Sequence, residues 1–263
     1  MLMELVSLFS RVPTPAATLP TGLEQVLIPY GQGQIPVLIR RNKRSRRMTL
    51  RIDRAKRAVV LTIPASLPRA RAESFIRKET AWICERFDEL PGPVPITPGA
   101  VIPIRGKSHH IVSTGQSRGR VAVRVRGGEN DLLVPGDPRH LERRVLDFLK
   151  GEARADFQKA VSRHAAELGV APSAIRIRDQ KTRWGSCSSN GTLSFSWRLV
   201  LAPPEILDYL AAHEVSHLLE MNHSAQFWAH CRRQAPQTDQ ARAWLREHGE
   251  ELHMIGQQRV DGL

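Results

Sequence analysis

The stretch AAHEVSHLLEMNHSAQFW, residues 211–228, sets three histidines and two glutamates among apolar residues. Pro203 and Pro204 supply a helix start just upstream, and Asn222 a stop. On a helical wheel of residues 206–221, Ile206, Leu207, Leu210, Ala211, Val215, Leu218 and Met221 fill one half. Glu214 falls inside that apolar half, and His213 and His217 lie at its edge. A carboxylate buried in an apolar face is costly unless something compensates it. His213 and His217, four apart, project side by side and can share one ion. His223, six residues past His217, can return after the helix ends to supply a third ligand. Catalytic zinc uses three protein ligands and keeps one position for water. Glu214, next to the first histidine, is then the general base for that water. The expectation is one Zn2+ per chain, held by His213, His217 and His223, with Glu214 catalytic.

The preceding chain reads as strands. GQIPVLIRR, RRMTLRID and AVVLTIP are short β-rich runs separated by charged turns, and residues 66–87 have helical spacing of Phe75, Ile76, Trp82, Ile83 and Phe87. VIPIRG, HHIVST, RVAVRVR and DLLVP are further strands. Asp137 before Pro138 opens a long amphipathic helix over 139–168. AIRIRD and KTRWGSCSSNGTLSFSWR follow as strands, with Asn190-Gly191 as a hairpin turn. Ser224 can cap a helix that Pro236 stops, and TDQARAWLREHG makes the last one. No internal repeat is visible. The expected fold is α+β: a mainly antiparallel N-terminal portion with one helix, then a zincin-like metallopeptidase domain. The expected division is a flexible leader at 1–22, a basic β-rich portion at 23–137 and the hydrolase domain at 138–263.

The combination of motifs resembles one family. TRWGSCSSNGTLSFSWRLVLAPPEILDYLAAHEVSHLLEMNHSAQFW is similar to the YgjP-like metallopeptidase domain family, related to SprT-like zincins. That family pairs an RWGSCS hairpin and a WRL…P connection with HExxH and a later NHSxxFW. RNKRSRRMTLRID and FIRKETAWI also resemble its N-terminal strand and helix, so the likeness covers roughly residues 25–250. It implies the same metal ligands, His213, His217 and His223, and the same base, Glu214. The HExxH-x5-H spacing is shared with metzincins, but Glu220 stands where they carry glycine, and Met254 is too far along for their Met-turn.

Other residues have two readings each. Arg183 and Ser186, on the hairpin before the metal helix, can touch a substrate added as a strand, or belong to a hairpin packed through Trp184 and Trp197. Tyr209, one turn before His213, can stabilise an oxyanion or simply pack. Glu220 can orient a ligand histidine or lie solvated at the helix end.

Charge and cysteines bound the partners. Residues 1–137 carry 22 basic and 11 acidic side chains, a net +11 of the chain's +13. The segment 40–57 alone has ten basic side chains and one acid, Asp53, and can attract a polyanion, a nucleotide or a nucleic acid. Its lack of aromatics argues against base recognition. The three cysteines are far apart and form no CxxC pair, which fits a reducing compartment. The N-terminus has no basic region before its apolar start, and no stretch reaches membrane-spanning length, so the expected location is cytoplasmic.

The expected activity is hydrolysis of a peptide or protein substrate by a zinc-dependent metallopeptidase. One alternative is a metal-dependent hydrolase of nucleoside triphosphates or another phosphoanhydride, with the basic half holding phosphates; the chain has no P-loop. A second is a nucleic-acid-binding module with structural zinc, though such zinc is usually closed by four protein ligands.

Overall fold

The computed structural model describes residues 24–31, 33–53, 58–89, 92–180 and 182–257. The leader at 1–22 and the basic residues Arg54, Lys56 and Arg57 lie outside the described residues.

Strands β1 (Glu24–Tyr30), β2 (Gly33–Asn42), β3 (Thr49–Asp53) and β4 (Ala58–Pro64) form a sheet in the order β1-β2-β4-β3. β1 and β3 run antiparallel to β2 and β4 respectively, and β2 and β4 are parallel. Alternation sets the faces. Ile35, Val37 and Ile39 point into a core with Val59, Leu61 and Ile63, their neighbours on β4. Helices α1 (Arg69–Lys78) and α2 (Thr80–Asp88) close this core with Ala72, Ile76, Ile83 and Phe87. The single helix expected over 66–87 is thus in two pieces. The Thr80 hydroxyl donates to the Ile76 carbonyl at 3.0 Å, taking an acceptor from the helix ladder. Glu79 leaves helical geometry at φ −91°, ψ 6°.

The next four strands repeat the plan. β5 (Val101–Ile104), β6 (Lys107–Ser113), β7 (Ala122–Arg126) and β8 (Glu129–Val134) lie in the order β5-β6-β8-β7, with the same pairing senses. A helix again follows, α3 (Leu141–Leu168). Asp137 caps the 3-10 turn before it, accepting from the Arg139 N–H at 2.8 Å. Gly169 ends α3 in the left-handed region, at φ 67°. The charge step at 137 therefore falls between β8 and α3, inside the second of two hydrophobic cores; the first spans Ile28 to Phe87, the second Ile96 to Ile255.

A three-stranded sheet completes the β structure: β9 (Ala174–Arg178), β10 (Gly185–Cys187) and β11 (Thr192–Ser196), ordered β10-β11-β9. The β10–β11 hairpin turns at Asn190-Gly191 as expected. Then come α4 (Pro204–Ser216), α5 (Ala225–Gln234) and α6 (Thr238–Met254). The architecture is α+β. Buried Arg198, just past β11, donates to the Leu252 and Ile255 carbonyls at 2.8 and 2.6 Å, so it caps the end of α6. None of the described helices is long and apolar enough to cross a membrane.

Candidate metal centre

Helix α4 is buried on nearly every side, which fixes its rotation. Ile206, Leu207, Leu210, Ala211, Ala212 and Val215 enter the second core. Asp208 locks it to α3: it accepts from Arg163, faces the fully buried His164 at 3.1 Å, and receives Gln237 at 3.3 Å. Burial pushes the Asp208 carboxyl up, but bonding to His164 and Arg163 outweighs it and holds the group below the usual range.

With the helix fixed, His213 and His217 meet edge to face one turn apart, ring centroids 5.0 Å. The α-helix ends at Ser216, and the chain folds back to bring His223 to 5.2 Å from His213 and 4.8 Å from His217. One nitrogen from each ring lies within 4.8 Å of the others, and Nε2 of His213 and His223 are 3.3 Å apart. The return is held by short-range caps. Asn222 accepts from the Ser224 N–H at 3.0 Å, and Ser224 caps α5 by accepting from Phe227 N–H at 3.1 Å. Phe227, fully buried, forms the floor, 4.9, 4.4 and 4.7 Å from His213, His217 and His223.

The outer ring nitrogens are also placed. His217 Nδ1 faces the Glu220 backbone carbonyl at 2.9 Å, which as an acceptor makes Nδ1 the protonated atom and leaves Nε2 free to ligate. Glu220 therefore meets the cluster through its main chain. The Tyr209 hydroxyl stands 3.4 Å from His213 Nδ1, and Tyr209 is buried. Burial, with His217 and His223 adding to it, pushes His213 down to about 3; burial lowers His217 too. These two rings are kept neutral, the form that binds a metal.

Glu214 is 3% exposed, and burial pushes it up to about 8, with Arg183 pulling the other way. Its Oε2 is buried with no hydrogen-bond partner, and its Oε1 lies over Gly185. A Cβ on Gly185 would stand 2.5 Å from that oxygen. The glycine of RWGSC thus makes room for the glutamate of HExxH, a contact the motif spacing did not reveal. A glycine inside a strand is the signal that could have found it. Trp184 packs away from the cluster, stacked on His253 at 4.5 Å and against Gly249. Arg183 is exposed, and Ser186 sits half-buried on the edge strand β10. The Cys187 thiol is pushed up by burial and then by Glu214, so it is a poor nucleophile. His109 lies in the second sheet, its Nδ1 2.6 Å from the Lys107 carbonyl.

The donor set fits a divalent metal such as zinc: three imidazoles converge beside a buried carboxylate with an unpartnered oxygen. Among curated proteins, none matches the chain at a significant level. Solved structures that align with it include two metallopeptidase zymogens. The metallopeptidase zymogen of Pyrococcus abyssi abylysin is 21% identical over 34% of this chain and 93% of its own, at a TM-score of 0.30. That of Methanocaldococcus jannaschii jannalysin is 22% identical over 35% and 94%, at 0.31. The model of the YgjP-like metallopeptidase domain matches residues 46–248, from the turn before β3 to within α6, and so takes in Gly185, Glu214 and all three histidines. By that match the chain belongs to the YgjP-like metallopeptidase domain family.

Proposed function

We propose that the chain is a zinc-dependent peptidase in which His213, His217 and His223 hold one zinc and Glu214 is the general base. One observation carries the reading: three imidazoles converge next to a buried carboxylate that lacks a partner on Oε2. A bound zinc supplies Lewis acidity, acidifying water and polarising a carbonyl. Glu214 takes the water's proton at its open oxygen and returns it to the leaving amine nitrogen. Its raised affinity for a proton suits that return step. Tyr209 steadies His213 from behind. Strand β10 is a sheet edge with main-chain groups open to an added strand, so the substrate lies along it, past Ser186 and Arg183.

The test pairs zinc content with turnover of a peptide library, with nucleoside triphosphates assayed in parallel. Glu214→Gln keeps zinc and loses about 10²–10⁴-fold in peptide hydrolysis. Replacing His213, His217 and His223 together by Ala abolishes zinc binding. Unchanged turnover in Glu214→Gln removes Glu214 as base. Turnover of triphosphates but not peptides replaces the substrate class.

A further inference from the structure

The first sheet carries a second feature, unrelated to the metal centre. Six cations on the β2–β3 connection and its flanks, Arg40, Lys43, Arg44, Arg46, Arg47 and Arg51, are exposed, and none is paired with an acid among the described residues. Arg41, in their midst, behaves differently. It pairs with Glu24 at 2.9 Å and donates to the Ala65 and Leu67 carbonyls at 3.0 and 2.8 Å, so it is spent on structure. The connection's own polar groups are satisfied locally. Asn42 accepts from Arg44 N–H through its side chain at 2.9 Å and from Ser45 N–H through its carbonyl at 3.1 Å, and the Ser45 hydroxyl donates to the Arg47 carbonyl at 3.0 Å. The turn is held while its charged side chains stay free. Register adds to the concentration: Arg40 and Thr49 both pair with Thr62 across β2-β4-β3, and Arg51 with Val60 one row on, so the outward face is rimmed with charge.

We infer that this basic rim is a binding surface for the phosphate backbone of nucleic acid. A protein partner needs an apolar centre to its interface, and a membrane needs an apolar anchor. The exposed large hydrophobic residues of this unit, Leu27 and Trp82, lie on β1 and α2, outside the rim. Between Arg40 and Arg51 there is no aromatic side chain to stack on a base. Such a surface reads charge and not sequence.

The experiment uses the full chain with labelled 20-base-pair DNA duplexes of two unrelated sequences, followed by fluorescence anisotropy across a salt series. The two duplexes bind alike. Log affinity falls with log salt at about −0.9 per phosphate contact. Arg44→Ala, Arg46→Ala and Arg47→Ala combined lower the steepness by about 2.7 and the affinity at least about tenfold, with the unfolding midpoint unchanged. The same three positions changed to Lys retain the slope. A control that removes equal charge at Arg86, Arg139 and Arg143, each paired with its own acid, leaves the slope unchanged. Absence of binding at low salt overturns the inference. So does an equal loss in the control, or tighter binding to vesicles of anionic lipid than to DNA.

Discussion

The two four-stranded sheets share strand order, pairing senses and a helix that follows, yet they serve different ends. In the first unit the helix is short and broken, and it closes a core that is entirely apolar among its described residues. In the second, α3 runs 28 residues, about 42 Å. It outreaches its own sheet, carrying Phe157 onto Phe195 of β11 at 4.1 Å and His164 onto Asp208 of α4. Every buried polar or charged side chain among the described residues, from His109 to His253, belongs to the second unit or the structure it supports. One plan thus gives a self-contained module in one case and scaffolding for chemistry in the other. The length of one helix makes the difference, because it decides whether more chain can be packed on the same core.

The largest expected effects test that separation. Phe87 and Phe157 are both fully buried, one in each core. Either changed to Ala costs about 3–5 kcal/mol, read by denaturant unfolding. Phe157→Ala also weakens zinc retention and hydrolysis, since it loosens the helix on which α4 is seated. Phe87→Ala leaves both intact. Should Phe87→Ala release zinc as readily, the cores are one cooperative unit and the contrast fails.

A second pair concerns glycines. Gly185→Ala places a methyl 2.5 Å from the Glu214 carboxylate, which must move. The expected result is roughly 10²-fold slower hydrolysis with zinc retained. Gly31, at φ 55° in the β1–β2 turn, has open space around it. Gly31→Ala costs about 1 kcal/mol of backbone strain and leaves the rate alone. Equal rates in wild type and Gly185→Ala would mean that the carboxylate's position is not what catalysis depends on.

Local signals in the sequence were read correctly where short-range chemistry decides the outcome. The Ser224 cap, the Asn190-Gly191 turn, the start of α3 near Asp137 and the burial of Glu214 all follow from neighbours a few residues apart. The repeated sheet was not legible, because its defining contact joins strands that skip a neighbour: β2 beside β4, and β6 beside β8. Alternation says which face a residue takes, not which strand lies next to it. The Gly185–Glu214 contact was hidden for the same reason, being made between a strand and a helix 29 residues on.

The buried charges of the second core give the next contrast, in protein stripped of metal by a chelator. Glu214 holds its proton to about 8 when folded, against 4.5 as its ordinary value. Between those limits the folded state binds the extra proton, so its contribution to stability is lost as pH rises through that window. His213 is the reverse, about 3 folded against 6.5, so stability is lost as pH falls from 6.5 towards 3. From 4.5 to 6.5 the Glu214 and His213 slopes oppose, and His217, lowered in the same sense as His213, adds to the loss on the acid side. Stability therefore peaks near pH 6.5, with a fall of about 2 kcal/mol by about pH 8 and a larger fall towards about pH 3. Native-state hydrogen exchange separates the cores: amides of Ala211–Val215 follow this profile and those of Val59–Ile63 stay flat. A parallel profile at both sites contradicts the contrast.

The smallest effect bears on why one helix is broken and the other is not. α3 continues through Gly151, a poor helix former, whereas the first unit's helix stops at Glu79 among residues of better propensity. Propensity therefore does not set the break. The Thr80 hydroxyl, bonded to the Ile76 carbonyl, does so by competing for a ladder acceptor. Thr80→Ala returns that carbonyl to the ladder and adds a better helix former. The expected gain is about 0.5 kcal/mol, seen as a slightly higher denaturant midpoint with a small increase in helical circular dichroism and unchanged hydrolysis. A loss of stability would place the cause elsewhere. Ile83 and Phe87 on α2 are both fully buried in the first core, so their packing is the other candidate for what sets the direction of α2. In that case the hydroxyl only fills a gap that packing has already opened, and the difference between the two units begins with the core and not with the helix.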